Sequence, residues 1–379
     1  MKSIDTDIDP CDNFYKFACG KYIKMTPIPV DKQLHTTLAD IQIDIRMIVK
    51  YKLEEPSKSG EIEAVTKAKG FYEACMNTEA IERDGNVPLH KLMEDLGGLP
   101  VLGSASGGKW NQNAYSFEDL IVTSFRVTDS VPILYVHLDD VRLVGQEKYR
   151  LNFDQPSLNL PRQLYLQGKE DPALLALKTY YLELFQAFGA NESAAAEFAE
   201  NTLDLEIDLA NISSDDPYKS SVIKIVPVSS LQEFGATVNF SQIVEGIYQV
   251  GGFSLQASDV VTIFSIDYFK NTATVLNKHS NSVIANYIVT KVVMTQVNFL
   301  PQIYTDITER FLAATGQAIN SATTRLEYCV NMLRDRMPDV ITRLFAKEAF
   351  LEKDRRYARH YIYHFSQLLA KNVFFTRNT

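Results

Sequence analysis

The sequence predicts a mostly α fold: one large multi-helix domain over residues 1–379, with a small β-sheet insertion at about residues 131–155. Three observations carry this. Apolar residues recur at three-to-four spacing in window after window, as in Ile62, Val65, Ala68, Phe71, Tyr72 and Cys75, the pattern of a helix with one buried face. Runs rich in β-branched and aromatic residues gather in one place, Ile133 to Leu138 and Tyr149 to Phe153, on either side of a polar stretch that includes Asp139-Asp140. No repeat of roughly 20 to 50 residues and no long Pro/Gly/Ser linker divides the chain.

In chain order, the Asp9-Pro10 turn leads into a short helix that Gly20 ends, and an extended stretch from Ile23 to Pro29 follows, held open by Pro27 and Pro29. Asp40 to Leu53 is amphipathic and stops before Glu54-Glu55-Pro56. Glu61 to Met76 repeats the signal and places Cys75 on a core-facing helix. Leu89 to Leu96 ends at Gly97-Gly98-Leu99-Pro100, and the loop Gly103 to Gly108 separates it from a helix over Ser116 to Arg126. From Pro172 onward helix dominates: Ala173 to Phe188, closed by Gly189, then Glu192 to Ile212, with shorter helices over Ser229 to Phe234 and Phe240 to Gln249. After a short strand over Val260 to Ile266, long helices cover Ser282 to Leu300, Thr324 to Met337 and Asp339 to Leu351, and a last one starts at Lys353.

Composition excludes several classes of function. With 38 Lys plus Arg against 47 Asp plus Glu, the net charge of −9 argues against nucleic acid as a partner, because phosphate binding needs a basic surface. At 46% hydrophobic and 22% charged residues, the chain can bury a large core and is not a disordered sequence. The best apolar stretch, Ser282 to Leu300, is broken by Asn286, Lys291, Gln296 and Asn298, so no membrane span is expected. Met1 to Pro10 carries Asp5, Asp7 and Asp9 and shows neither the basic nor the apolar region of a signal peptide.

The four cysteines, Cys11, Cys19, Cys75 and Cys329, allow three connectivities, or four buried free thiols. Cys11 and Cys19 lie eight residues apart; along a helix that is roughly 12 Å, beyond the separation of about 7 Å that a disulfide spans. Asn191, Asn211 and Asn239 open Asn-x-Ser triplets and are candidate N-glycosylation sites.

Several strings imitate known chemistry. Gly103 to Lys109 has the spacing of a phosphate loop, but Trp110 stands where Ser or Thr should hold Mg²⁺, so a surface loop is expected. His360 and His364 have the spacing of two zinc ligands, but Tyr361 replaces the Glu that would polarise water, and Arg355, Arg356 and Arg359 crowd the segment. Glu200 and Asp204 have the spacing of a third zinc ligand and its supporting carboxylate, yet without a suitable His pair they read as a solvated helix face. No Gly-x-Ser-x-Gly or Cys-x-x-Cys string is present.

Longer strings are more specific. Asp9-Pro10-Cys11-Asp12-Asn13-Phe14-Tyr15-Lys16-Phe17-Ala18-Cys19-Gly20 resembles the opening signature of the neprilysin and endothelin-converting-enzyme family of zinc metallopeptidases, and Pro27-Ile28-Pro29 fits it as well. Matching strings follow in the same order: Phe71 to Met76 with Thr78 to Glu82, Leu96 to Pro100, Phe153-Asp154-Gln155-Pro156-Ser157-Leu158-Asn159-Leu160-Pro161, Leu205-Glu206-Ile207-Asp208-Leu209-Ala210, and Cys329 with Ala346 to Phe350. The resemblance covers about residues 5 to 365 and marks the chain as the family's N-terminal helical cap domain.

That resemblance implies a Cys75–Cys329 disulfide, and partners for Cys11 and Cys19 in a C-terminal catalytic domain. It also places the His-Glu-x-x-His zinc helix, the Glu ligand and the Asn-Ala-aromatic substrate strand of relatives in that catalytic domain, which is expected to be absent from residues 1–379. Asn113-Ala114-Tyr115 imitates the substrate strand from a helical region far upstream, and Leu34, followed by His35, stands near a position where some relatives hold the substrate carboxylate with a basic residue. The expected function is therefore the substrate-gating part of a zinc metalloendopeptidase acting on oligopeptides in an extracellular or cell-surface ectodomain. Catalytic, cofactor and metal residues are expected to be none in this chain, with zinc only in the complete family member, and the chain alone is expected to be an inactive, incomplete piece. The alternative is a non-catalytic secreted module that binds peptides or proteins.

Overall fold

Side-chain caps set many of the helix starts. Asn13, Thr36, Ser116, Asp171, Asn191, Asn239, Ser280 and Thr324 each accept a hydrogen bond from an otherwise unpaired backbone N–H in the first helical turn. The structure, a computed structural model, describes residues 3–28, 35–103, 109–140, 149–215, 223–235, 237–317, 324–349 and 351–375.

In chain order the first helices are α1 (Phe14–Met25), α2 (Thr37–Glu54), α3 (Glu63–Met76), α4 (Thr78–Asp84), α5 (Val87–Asp95) and α6 (Phe117–Thr128). Strands β1 (Tyr135–Asp140) and β2 (Tyr149–Asp154) follow, then α7 (Arg162–Tyr165), α8 (Pro172–Phe188) and α9 (Glu192–Ile212). After β3 (Lys224–Pro227), α10 (Phe240–Val250) and β4 (Val260–Ile263) come α11 (Ile266–Leu276), α12 (Asn281–Met294), α13 (Gln302–Ala314), α14 (Arg325–Arg336), α15 (Pro338–Ala349) and α16 (Glu352–Phe375). The fold is mostly α with one small sheet, as the periodicities predict.

The chain divides into two compact units: a terminal unit, Met1–Ala80 with Ile319–Thr379, and a central unit, Ile81–Ala318. In the terminal unit, α2, α3, α14 and α15 pack together and bury Val49, Leu53, Val65, Tyr72, Val330 and Ile341. A disulfide joins Cys75 of α3 to Cys329 of α14 with Cα atoms 5.9 Å apart, and Arg325 donates from Nε to the Cys75 carbonyl at 2.7 Å. Helix α1 runs through Gly20 to Met25 instead of ending at the glycine. Gly20 is there for space: a Cβ would sit 2.9 Å from the Asp5 side chain, which the preceding segment lays against the helix.

The central unit has one continuous core in which α8, α9 and α12 are the main walls. Helix α12 is buried on every face, which explains the apolar stretch; it ends at Met294, short of the predicted Leu300, and a single 3₁₀ turn, Val297–Phe299, precedes Pro301. Among the described residues no helix is long and apolar enough to cross a membrane. The sheet runs β1-β2-β4-β3, with β1/β2 and β3/β4 antiparallel and β2/β4 parallel, so it draws in two strands from well beyond the predicted insertion. Strand β1 starts at Tyr135, not Ile133, because Ile133 has φ +71°, an uncommon left-handed conformation for a β-branched residue; Tyr268 donates its hydroxyl proton to the Ile133 carbonyl at 2.7 Å. Helices α11 and α13 escape the sequence reading because Thr, Asn and aromatic residues weaken their intrinsic signal, while burial of Tyr268, Phe269, Tyr304 and Ile307 supplies the stabilisation.

Candidate functional site

Two of the longer strings, far apart in sequence, meet in the central unit. Glu206, on α9, is fully buried. Its Oε2 accepts from the Tyr181 hydroxyl at 2.6 Å and from Asn159 Nδ2 at 3.1 Å, and its Oε1 accepts from the Asn159 backbone N–H at 3.0 Å. Lys291 of α12 donates from Nζ to Asn159 Oδ1 at 2.8 Å, so Asn159 bridges a cation and an anion. Burial, and then the nearby Glu206 carboxylate, push the Tyr181, Tyr165 and Tyr287 hydroxyls well above the usual phenol range. Burial pushes the Lys291 ammonium down and Glu206 pulls it back up. A buried carboxylate is costly unless charge-assisted hydrogen bonds satisfy it. These do, and they leave Glu206 enclosed: the cluster fixes the Asn159 segment in place.

The run from Asp154 to Leu160 lines an open cleft of about 450 Å³, except for Asn159, which turns inward to Glu206. The other walls are Tyr135, Arg162, Ser213 and Ser214. Cross-links hold this wall to the C-terminal end of α9. The Gln155 amide donates to the Ser214 carbonyl at 2.6 Å and accepts from the Ser214 N–H at 2.8 Å. Arg162 donates to the Ala210 carbonyl at 2.9 Å and to Asp215 at 3.1 Å. Asp154 Oδ1 accepts from the Ser265 hydroxyl at 2.6 Å and from the Gln155 N–H at 2.7 Å. With both polar groups and the apolar Pro156, Leu158 and Leu160 on its walls, the cleft has the make-up of a small-ligand or side-chain pocket.

The residues singled out in the sequence lie elsewhere. Cys11 is an exposed free thiol and Cys19 a partly buried one. Cys19 lies in α1 and Cys11 just before it, and Phe14, Tyr15, Ile23 and Met25 of that helix are exposed, Phe14 and Met25 to 70%. His35 pairs with Asp40 at 2.6 Å, and Tyr22 donates to the same carboxylate at 2.8 Å; these two contacts, His35 first, hold Asp40 below the usual carboxylate range. Leu34 and residues 104–108 of the glycine-rich loop lie outside the described residues. Lys109 pairs with Glu94 at 2.6 Å, and Asn113-Ala114 form a 3₁₀ turn, not a strand. Glu200 and Asp204 share Lys169, and Glu200 also pairs with Lys178, so both carboxylates serve surface ion pairs. Asn191, Asn211 and Asn239 are exposed, and Asn191 and Asn239 also cap α9 and α10. His360 and His364 meet edge to face on the exposed α16, ring centroids 4.2 Å apart. Among the described residues no group of three or more His, Cys, Asp or Glu is placed to hold a metal ion. The sequence reading missed the Asn159–Glu206–Lys291 cluster as a unit; the available signal was that Asn159 and Glu206 fall inside the two longer matching strings.

Comparison with known proteins agrees with the strings. The profile of peptidase family M13 matches residues 10–370. Neprilysin-21 of Caenorhabditis elegans is 27% identical over 362 residues, covering 93% of this chain and 46% of that protein. Endothelin-converting enzyme 1 of Rattus norvegicus is 25% identical over 368 residues, covering 96% of this chain and 47% of that protein. The cryo-EM structure of the Mycobacterium tuberculosis zinc metalloprotease Zmp1 in its open state superposes with a TM-score of 0.74 at 15% identity, over 93% of this chain and 53% of that one, a likeness of fold. The chain thus spans about half the length of the curated relatives it matches.

Proposed function

Since the chain belongs to peptidase family M13, a family of neprilysin-like zinc metallopeptidases, we propose that it is the substrate-gating cap of a zinc metalloendopeptidase that cleaves oligopeptides. In this reading the zinc and the general base come from a C-terminal catalytic partner domain, residues 1–379 form one cap domain, and the chain alone is inactive. The observation that carries it is the state of α1: free thiols at Cys11 and Cys19 beside exposed Phe14, Tyr15, Ile23 and Met25. Large apolar side chains this exposed on one short helix, with two free thiols in the same segment, suit a surface that a partner covers. Helix α16 adds to this, with Tyr357, Tyr361, Ile362 and Tyr363 all exposed. We place the protein in an extracellular or cell-surface ectodomain, with glycans at Asn191, Asn211 and Asn239.

The test is hydrolysis of a fluorogenic oligopeptide by this chain alone and by the chain joined to an M13 catalytic domain carrying His-Glu-x-x-His, with zinc content and thiol alkylation measured on both. The expected result is no zinc and no turnover for the chain alone, with Cys11 and Cys19 alkylated there and blocked in the joined form. Stoichiometric zinc or turnover in the chain alone overturns the reading. The cleft lined by Asp154 to Leu160 favours a second reading, a non-catalytic peptide- or protein-binding module. Peptide affinity in the chain alone, with no gain of turnover on joining the catalytic domain, decides for it.

A further inference from the structure

We propose that the cleft beside Asp154 binds a cationic group, a primary ammonium or a guanidinium, carried by a peptide. Asp154 is only 6% exposed, yet it lines the cleft. Its Oδ1 is occupied by Ser265 and Gln155. Its Oδ2 takes no hydrogen bond among the described residues and is not sealed from solvent, so it opens to the cleft. No lysine, arginine or histidine pairs with Asp154 among the described residues. Arg162, the one cation among the described residues of the cleft wall, is already engaged by the Ala210 carbonyl and by Asp215.

With its other oxygen already bonded within the protein, the open oxygen of this largely buried carboxylate is a fixed acceptor that a cationic donor entering the cleft can take in place of water. The remaining walls suit such a group. Pro156, Leu158 and Leu160 offer apolar surface to an aliphatic stem. Tyr135, 53% exposed on the cleft wall, offers an aromatic face to a cation. The chain's net charge of −9 raises the local concentration of cations. A peptide as the carrier of the charge rests on the proposed oligopeptidase reading, whereas the charge recognition rests on Asp154 alone.

Ligand-observed NMR titrations of the full chain test this with three tripeptide amides: acetyl-Gly-Lys-Gly, its norleucine counterpart, and Gly-norleucine-Gly with a free amino terminus. The lysine peptide is expected to bind about tenfold or more tightly than the acetylated norleucine peptide, because it alone of that pair makes the charged hydrogen bond. Comparable binding of the free-amine peptide would show that the site takes an ammonium from either source; its failure would assign the site to a side chain. Asp154→Asn keeps the Oδ1 acceptor for Ser265 and Gln155 but puts an NH₂ where Oδ2 was, and should erase the lysine preference. Tyr135→Ala, a surface change, should weaken the lysine peptide several-fold. Equal binding of the lysine and acetylated norleucine peptides, no binding of any of the three, or a lysine preference that survives in folded Asp154→Asn overturns the proposal. If that variant does not fold, the salt dependence of the lysine preference in the unaltered chain decides: a preference that high salt leaves unchanged is not electrostatic. The readout needs no catalytic domain, so it can fail while the oligopeptidase reading stands.

Discussion

The central unit builds its core from one continuous stretch, residues 81–318, and fills it with stacked aromatics: Phe311 on Tyr180 at 4.7 Å between ring centroids, Tyr181 on Phe185 at 6.2 Å and Phe188 on Tyr304 at 5.8 Å. The terminal unit gathers α2 and α3 with α14 and α15 from opposite ends of the chain, around a smaller aliphatic core, and adds the Cys75–Cys329 bond. Closing so long a loop costs chain entropy that a small core offsets poorly. The difference suggests that covalent linkage matters most in the terminal unit, whereas buried polar and aromatic packing matters most in the central one.

Alkaline pH should separate the two most strongly. Burial raises Tyr180 and Tyr304 in the central unit to about 12 each, and raises Tyr165, Tyr181, Tyr268 and Tyr287 further. In the terminal unit burial and Glu54 raise Tyr72 to about 12. A hydroxyl whose folded pKa is raised contributes stability that is fully present below the unfolded value near 10 and is lost as pH climbs through the folded value. For Tyr180, raised to about 12, this amounts to on the order of 2 to 3 kcal/mol. Between pH 10 and 12 the central unit, with more of these groups, should lose its near-ultraviolet circular dichroism first. Earlier loss of the terminal unit, followed by hydrogen exchange, would break the comparison.

Cys329→Ser should cost about 5 kcal/mol in the loop-entropy account, for a sequence separation of 254 residues. Calorimetry should show the terminal unit's transition falling while the central unit's holds; equal movement of both would mean that the bond supports the whole chain. Glu206→Ala should lower the central unit's stability by about 4 kcal/mol, since it leaves Asn159 and Tyr181 without their shared acceptor and removes the anion near the buried Lys291. A loss below about 1 kcal/mol in a denaturant titration would show that the cluster does not hold the motif in place. Gly20→Ala should cost about 2 kcal/mol by pushing Asp5 off α1 and parting it from Lys24, now 2.7 Å away. Unchanged exchange protection at Lys21, whose N–H bonds the Ser3 carbonyl, would argue that Asp5 simply moves aside.

The helices over Glu192 to Ile212 and Glu63 to Met76 are legible because their apolar spacing, and for the first its Asn191 cap, are local properties of consecutive residues. The strands over residues 135–140 and 149–154 were legible for the same reason, but β3 was not: Lys224 to Pro227 is four residues long and largely exposed, and pairing with β4 is what makes it a strand. Asp154 shows the same limit. The alternation Leu151, Phe153 predicts one buried face, yet Asn152 and Asp154 are buried as well, because β2 lies between β1 and β4.

By itself the sequence determined the helical class, most element boundaries and, through its matching strings, the family. Periodicity, caps and signature strings act over a few residues and need no knowledge of what packs against them. Only the tertiary structure brought Asn159 against Glu206 and Lys291 and left one oxygen of a buried Asp154 facing a cleft; it also closed Cys75 onto Cys329, as the matching strings imply. Those contacts join residues 47 to 254 positions apart, and burial, which sets the cost of an unpaired charge, is a property of the assembled unit.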